Sequence, residues 1–118
     1  MIVNILGAEY TIIMKKYDED EAFEKRSICG YCDSYAKEIV VCDMHTYKGW
    51  ENELETTVEG CQKLTLRHEI VHAFFSESGL KDSTFAYDGG WSMNEEMVDW
   101  IAIQIPKMIK VFEETGCL

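Results

Sequence analysis

Two patterns of hydrophobic positions divide the chain near residue 52. Before it, apolar residues come in short runs at 2–6, 10–17 and 37–43, which is typical of β-strands. Gly7-Ala8-Glu9 separates the first two runs and predicts a hairpin. We therefore expect a small, mostly antiparallel sheet of three or four strands within residues 1–43.

Beyond residue 52 the apolar spacing becomes helical. Steps of three and four give one stripe, which we expect to face the core: Leu54, Val58, Cys61, Thr65, His68, His72 and Phe75. Gly79 is predicted to end this helix. Ser92 and Glu95 form a capping box that opens a second helix, which we expect to run to Ile105 and to be kinked or interrupted at Pro106. The sequence thus predicts an α+β fold.

Length and charge narrow the possible functions. The 118 residues, 47% hydrophobic and 28% charged, fit one globular domain spanning residues 1–118. Acidic residues outnumber basic ones 22 to 11, giving a net charge of −11, which argues against nucleic acid or an anionic membrane as partner. The first residues do not resemble a secretion signal, and five cysteines is an odd number, so we expect a cytoplasmic protein with free thiols.

The first long helix carries an HExxH motif at His68-Glu69-Ile70-Val71-His72. Histidines four positions apart lie one above the other on a helix, so both imidazoles can reach one metal ion. Glu69 projects about 100° away and can approach the open side of the metal, where a water binds. Two core histidines would need other hydrogen-bond partners, whereas a shared metal satisfies both.

A catalytic zinc has three protein ligands, so a third is expected. Glu95 and Glu96, at the start of the second helix, are the candidates. We favour Glu95 because Asp99 lies one turn further on, where it can hydrogen-bond the other nitrogen of a ligand histidine. Glu95 also has a simpler interpretation as the third residue of the capping box.

An HExxH motif followed by N-E-x-x-x-D resembles the gluzincins, the thermolysin-type zinc peptidases. The small size and Asp99-Trp100-Ile101-Ala102 are more similar to the minimal peptidases of the ImmA/IrrE kind, which phages and other mobile elements encode. The resemblance covers about residues 38–106. It implies a minimal zincin-like fold with His68, His72 and Glu95 as zinc ligands, Glu69 as general base and Asp99 behind a ligand. No clear counterpart exists for the family's oxyanion-stabilising residue; Tyr87 is the candidate.

These features predict a zinc-dependent metallopeptidase, a hydrolase in which Glu69 activates a metal-bound water to cleave a peptide or protein substrate. The substrate is expected to lie extended along a sheet edge, for which Ile39-Val40-Val41 is the candidate. A zincin fold that holds metal without turnover is one alternative. The oligomeric state stays open.

A second metal site is also possible. CxxC at Cys29 and Cys32, followed by CxxH at Cys42 and His45, has the ligand types of a structural zinc ribbon. A non-catalytic zinc-binding interaction module built on these residues is therefore the other alternative function. The same cysteines can equally be small apolar residues of a buried β-hairpin.

Overall fold

The computed structural model describes residues 1–83 and 94–118, apart from the side chains of residues 82 and 83. The predicted α+β class is confirmed. Four strands and four helices of the described residues follow one another along the chain: β1 (Ile2–Ile5), β2 (Ala8–Lys15), α1 (Ala22–Lys25), β3 (Gly30–Asp33), β4 (Glu38–Cys42), α2 (Glu55–Glu77), α3 (Leu80–Ser83) and α4 (Glu95–Thr115). None of the helices described is long and apolar enough to cross a bilayer.

The sheet has the order β1-β2-β4-β3. The outer pairs, β1 with β2 and β3 with β4, are antiparallel, and the central pair β2 and β4 is parallel. The predicted hairpin and the mostly antiparallel sheet are thus present. The prediction that Ile39-Val40-Val41 forms a sheet edge is wrong, because β4 lies inside the sheet and β3 is the edge strand next to it.

The burial of β4 explains why it is central. Ile39 and Val41 pack in one core cluster, whereas Val40 and Cys42 pack in another. Successive side chains of a strand point to opposite sides, so β4 is covered on both faces. A continuous apolar run is typical of such a strand, and this run is the feature that should have argued against an edge position.

Helix α2 extends along this core and ends as predicted. Its last residue is Glu77, and Gly79 follows with φ +84°, a left-handed conformation that favours glycine. The predicted core stripe holds only in part: Val58 and Phe75 are buried, but Leu54 is exposed and precedes the helix as its N-cap.

Helix α4 differs from the prediction at two points. Asn94, not Ser92, is its N-cap, since the Asn94 side chain accepts a hydrogen bond from the Met97 N–H at 3.0 Å. The helix also continues through Pro106 to Thr115, so it is not interrupted there, and a kink at Pro106, the other expectation, stays a prediction. Ser92 itself lies outside the described residues. Glu95 is therefore the first residue of the helix, and the capping box does not explain its presence.

An arginine compensates for Pro106. Proline has no N–H, so the carbonyl four residues earlier, that of Ala102, loses its helical donor. Arg67 on α2 supplies one, because its Nε donates to the Ala102 oxygen at 2.7 Å. Val71, Phe75 and Val98 pack beside this contact and complete the α2–α4 interface. Together they fix the position of α4 against α2.

We expect Arg67→Met to destabilise the protein by about 1–2 kcal/mol, because the Ala102 carbonyl, which Pro106 deprives of its helical N–H, also loses its hydrogen bond from Arg67. In a Pro106→Ala background the same substitution should cost clearly less, since the restored N–H bonds that carbonyl. Urea unfolding of the four proteins measures both costs. Equal costs in the two backgrounds would contradict the compensation.

A small polar cluster holds the edge strand from the other side. Asp20 Oδ2 accepts hydrogen bonds from the Tyr31 hydroxyl on β3 at 2.6 Å and from Lys15 Nζ on β2 at 2.9 Å. Its other oxygen accepts from the Ala22 N–H at 3.1 Å. These donors, the Tyr31 hydroxyl first, lower the pKa of Asp20 to about 2. The cluster ties β3 to the segment before α1.

Because the folded-state pKa of Asp20 lies below its ordinary value, its carboxylate stabilises the fold above about pH 4, and this contribution disappears as the pH falls towards 2. We expect Asp20→Asn to cost about 1–2 kcal/mol at pH 7 and progressively less between pH 4 and pH 2. Denaturant unfolding at several pH values measures the difference. A cost that stays constant down to pH 2 would rule out this role.

Candidate metal centre

Four of the six predicted site residues line a cleft of about 510 Å³ between the β3 edge and the helices. Gly30, Tyr31, Cys32 and Asp33 of β3 form one wall. Residues of α2 and the first residue of α4 form the opposite side: His68, Glu69, His72, Phe75, Ser76 and Glu95. The cleft thus places an exposed strand edge directly beside the HExxH helix.

Two imidazoles converge in this cleft. His68 and His72 lie one turn apart on α2, and their Nε2 atoms are 3.1 Å from each other. Their side chains are 18% and 19% exposed, so they face the cleft instead of the core that the stripe predicted. Burial lowers the pKa of His72, which favours the neutral form that a metal ligand requires.

Helix α4 adds two carboxylates to the imidazoles. Glu95 contacts both rings, with 2.9 Å from Oε2 to His68 Nε2 and 3.2 Å from Oε1 to His72 Nε2. Asp99, one turn further along, accepts from His68 Nδ1 at 2.7 Å. Glu96 is exposed and makes no comparable contact with either ring among the described residues. The structure therefore brings Glu95 and Asp99 to the histidines and leaves Glu96 outside.

With neutral histidines and an ionised Glu95, protons alone do not satisfy all of these contacts. If His68 Nδ1 donates to Asp99, a neutral His68 presents a lone pair at Nε2 to both His72 and the Glu95 carboxylate. If His68 Nε2 is protonated instead, His72 Nε2 can serve either as its acceptor or as a donor to Glu95, but not as both. A cation between the three groups removes the conflict.

The separations fit a metal ion of zinc's size. Bonds of about 2.0–2.1 Å in a tetrahedron put neighbouring ligand atoms roughly 3.3 Å apart. The three observed separations between His68, His72 and Glu95 are 2.9, 3.1 and 3.2 Å. Two imidazoles and a carboxylate are also a donor set that zinc accepts, and three protein ligands leave a fourth position open for water or substrate.

Glu69 lies at the base of the cleft and is the only charged residue that is buried in the described chain, at 6% exposure. One of its carboxylate oxygens is within 4.8 Å of nitrogens of both histidines. Burial raises the pKa of Glu69 to about 7, although the neighbouring His68 and Arg26 charges act in the opposite direction. A carboxyl group with such a pKa can accept and return a proton near neutral pH.

Gly30 makes this packing possible. A Cβ at residue 30 would lie 2.9 Å from Thr65 Cγ2, 2.9 Å from the Val40 oxygen and 3.3 Å from Glu69 Cγ. The edge strand can therefore approach α2 only with glycine at this position. The apolar runs that predicted strands did not include residues 30–33, although an isolated glycine among strand-forming residues signals such a close approach.

The possible zinc ribbon does not form. Cys29 and Cys42 belong to one core cluster and Cys32 to the other. His45 is on the surface, where Asp43 and Glu55 occupy its two ring nitrogens. Burial raises the pKa of Cys32 to about 12 and that of Cys42 to about 11, so both stay thiols. These cysteines are strand and core residues of the β3–β4 region, which was the simpler interpretation.

Among residues 1–83 and 94–118, the histidine, cysteine and acidic side chains close enough to hold a metal ion are His68, Glu69 and His72, with Glu95 in contact with both imidazoles. Tyr87, the candidate oxyanion stabiliser, lies outside the described residues. Comparisons with models of protein families, with curated proteins and with solved structures found no match.

Proposed function

We propose that this protein is a zinc-dependent peptidase of the minimal zincin type. The observation that carries the proposal is the convergence of His68 Nε2, His72 Nε2 and the Glu95 carboxylate at 2.9–3.2 Å, directly beside the buried Glu69. His68, His72 and Glu95 would hold the metal. Asp99 would keep His68 in the tautomer whose Nε2 faces the metal and would increase its basicity.

Bound zinc would supply a Lewis acid that polarises the peptide carbonyl and lowers the pKa of water. Glu69 would accept the proton of the attacking water and donate it to the leaving amine, since water and amine exchange one proton during hydrolysis. The burial of Glu69 favours this shuttle, because a desolvated carboxylate holds a proton more readily than an exposed one.

The substrate would bind along β3. Within the described residues this strand pairs only with β4, so its other edge is available for hydrogen bonds to an extended peptide. Main-chain pairing of this kind gives affinity without requiring a particular side-chain sequence. The strand that would pair with the substrate is therefore β3, whose residues line the cleft, and not β4.

A metal-dependence experiment tests the proposal. The protein is stripped with a chelator, dialysed, and given one equivalent of zinc or none. Each sample is then incubated with a mixed library of peptides of known sequence, and new termini are identified by mass spectrometry. We expect cleavage only in the zinc-loaded sample. Equal cleavage without metal, or none by protein that holds stoichiometric zinc, would refute the proposal.

A further inference from the structure

Arg26 is a charged residue of the cleft that the proposed chemistry does not use. It lines the same cavity as His68, Glu69 and Gly30, and its side chain is exposed. Its guanidinium makes no ion pair or side-chain hydrogen bond within the described part of the chain. This contrasts with Arg67, the other described arginine, which bonds the Ala102 carbonyl.

The backbone holds Arg26 in place at the cleft. Arg26 is the C-cap of α1, and the Ile28 and Ser27 N–H groups bond the carbonyls of Phe23 and Glu24 at 3.2 and 3.4 Å. This is the Schellman pattern, which normally has glycine at the residue after the cap. Here Ser27 adopts the left-handed conformation, with φ +51°. The turn leads the chain directly from Arg26 into β3.

Two of the three carboxylates of the cleft have other contacts, and the third, Glu69, feels the Arg26 charge but forms no ion pair with it among the described residues. Asp33 accepts the N–H groups of Tyr35 and Ala36, and Glu95 contacts the two imidazoles. The other cation of the cleft, Lys81, donates to Ser34 Oγ at 3.1 Å near the opposite end of β3. Among the described residues, therefore, no side chain pairs with the planar set of donors that Arg26 brings to this cleft of a chain with net charge −11.

We infer that Arg26 binds a carboxylate of the peptide substrate and makes this site selective for acidic peptides. The inference rests on the proposed peptidase function for the kind of ligand, but not on turnover. A peptide paired with β3 would lie in the cleft that Arg26 lines together with His68, His72 and Glu95, so one of its carboxylates could form a bidentate contact with the guanidinium. The carboxylate can come from an aspartate or glutamate side chain or from a free C-terminus.

Binding is measured apart from catalysis, with zinc-loaded Glu69→Gln protein so that no peptide is consumed. The probes are fluorescein-labelled octapeptides of alanine and leucine with a blocked C-terminus, in which one glutamate is moved through every position. A matched set carries glutamine instead, and a third set has glutamine and a free C-terminus. Fluorescence anisotropy gives the affinity of each probe.

We expect one glutamate position to bind about five- to tenfold more tightly than its glutamine counterpart. Adding Arg26→Glu should abolish this preference. Lys25→Glu is the matched control, since it makes the same charge change one residue away, at a lysine that pairs with Glu21 and does not line the cleft. It should leave the preference unchanged. Tight binding of the free-C-terminus set alone would identify the chain terminus as the carboxylate.

Three results would overturn the inference: equal affinity for all three probe sets, a preference for a carboxylate that survives Arg26→Glu, or no binding of any peptide. The proposed function fails in a different way. If wild-type protein with stoichiometric zinc binds the acidic probe through Arg26 but never cleaves it, Arg26 recognition stands and the peptidase proposal falls.

Discussion

Glu69→Gln should reduce peptide hydrolysis by about 10²–10⁴-fold in kcat while leaving zinc stoichiometry unchanged. Glutamine has nearly the same shape as glutamate but cannot accept and return a proton. The proposed ligands His68, His72 and Glu95 are unchanged, and the contacts of 2.9–3.2 Å among them do not involve Glu69. Steady-state kinetics and elemental analysis of the same sample measure the two quantities.

The substitution should not unfold the protein. Burial raises the pKa of Glu69 to about 7. Above that pH the side chain is ionised, and the loss of water around its charge makes the folded state less stable. Replacing it by a neutral amide removes this penalty, and the melting temperature of metal-free protein at pH 8 should stay equal or rise. A large decrease would mean that Glu69 is a structural residue.

Glu59→Gln is a suitable control for Glu69→Gln. Glu59 is on the same helix, α2, but is exposed and does not line the cleft. The substitution makes the same change in net charge and should leave kcat within experimental error. Full activity of Glu69→Gln beside normal zinc content would exclude the proton-shuttle role.

Strong local periodicity made much of the fold predictable. The hairpin β1–β2, the strand β4 and the helix α2 were all expected, because short apolar runs and a long stripe with steps of three and four determine the type of each element. The start of α4 followed local rules less closely. Asn94 caps α4, although Ser92 offered an equally good capping sequence.

Features that depend on tertiary contacts were harder to predict. The parallel pairing of β2 with β4 joins strands far apart in the sequence, and no local pattern shows which strands become neighbours. Pro106 was expected to kink or interrupt α4. The helix continues, and a side chain from another helix, Arg67, bonds the carbonyl that the proline leaves free. β3 was anticipated only in the alternative interpretation of the cysteines as a buried β-hairpin, because its Gly30-Tyr31-Cys32-Asp33 sequence lacks a strong strand pattern and depends on packing against α2.

The candidate site was more predictable than the sheet. Helical spacing alone places His68 and His72 side by side, and it places Asp99 one turn after Glu95. Residue spacing within a helix does not show how close α2 and α4 lie to each other. The contacts of Glu95 with both imidazoles depend on that packing and could not be predicted from the sequence. Arg26 was not singled out, since nothing local indicates that the end of α1 borders the cleft.

His72→Ala should abolish zinc binding, from about one equivalent per chain in wild type to none. Removing one of three ligands leaves His68 and Glu95, too few for a stable site of this type. The His72 side chain is largely buried, so the variant is checked by circular dichroism before metal analysis. His45→Ala, at the surface histidine paired with Asp43 and Glu55, is the control and should retain full zinc.

Zinc per chain also distinguishes Glu95 from Glu96 as the third ligand. Glu95→Gln should weaken zinc binding strongly, whereas Glu96→Gln should have little effect, because only Glu95 contacts the imidazoles.

Zinc should also be released as the pH falls through the histidine range, since protons compete for the same nitrogen atoms. Because the pKa of His72 is lowered, zinc should be released at a more acidic pH than a site built on surface histidines would show. One equivalent of zinc retained by folded His72→Ala would place the metal elsewhere in the chain and would remove the structural basis for a peptidase.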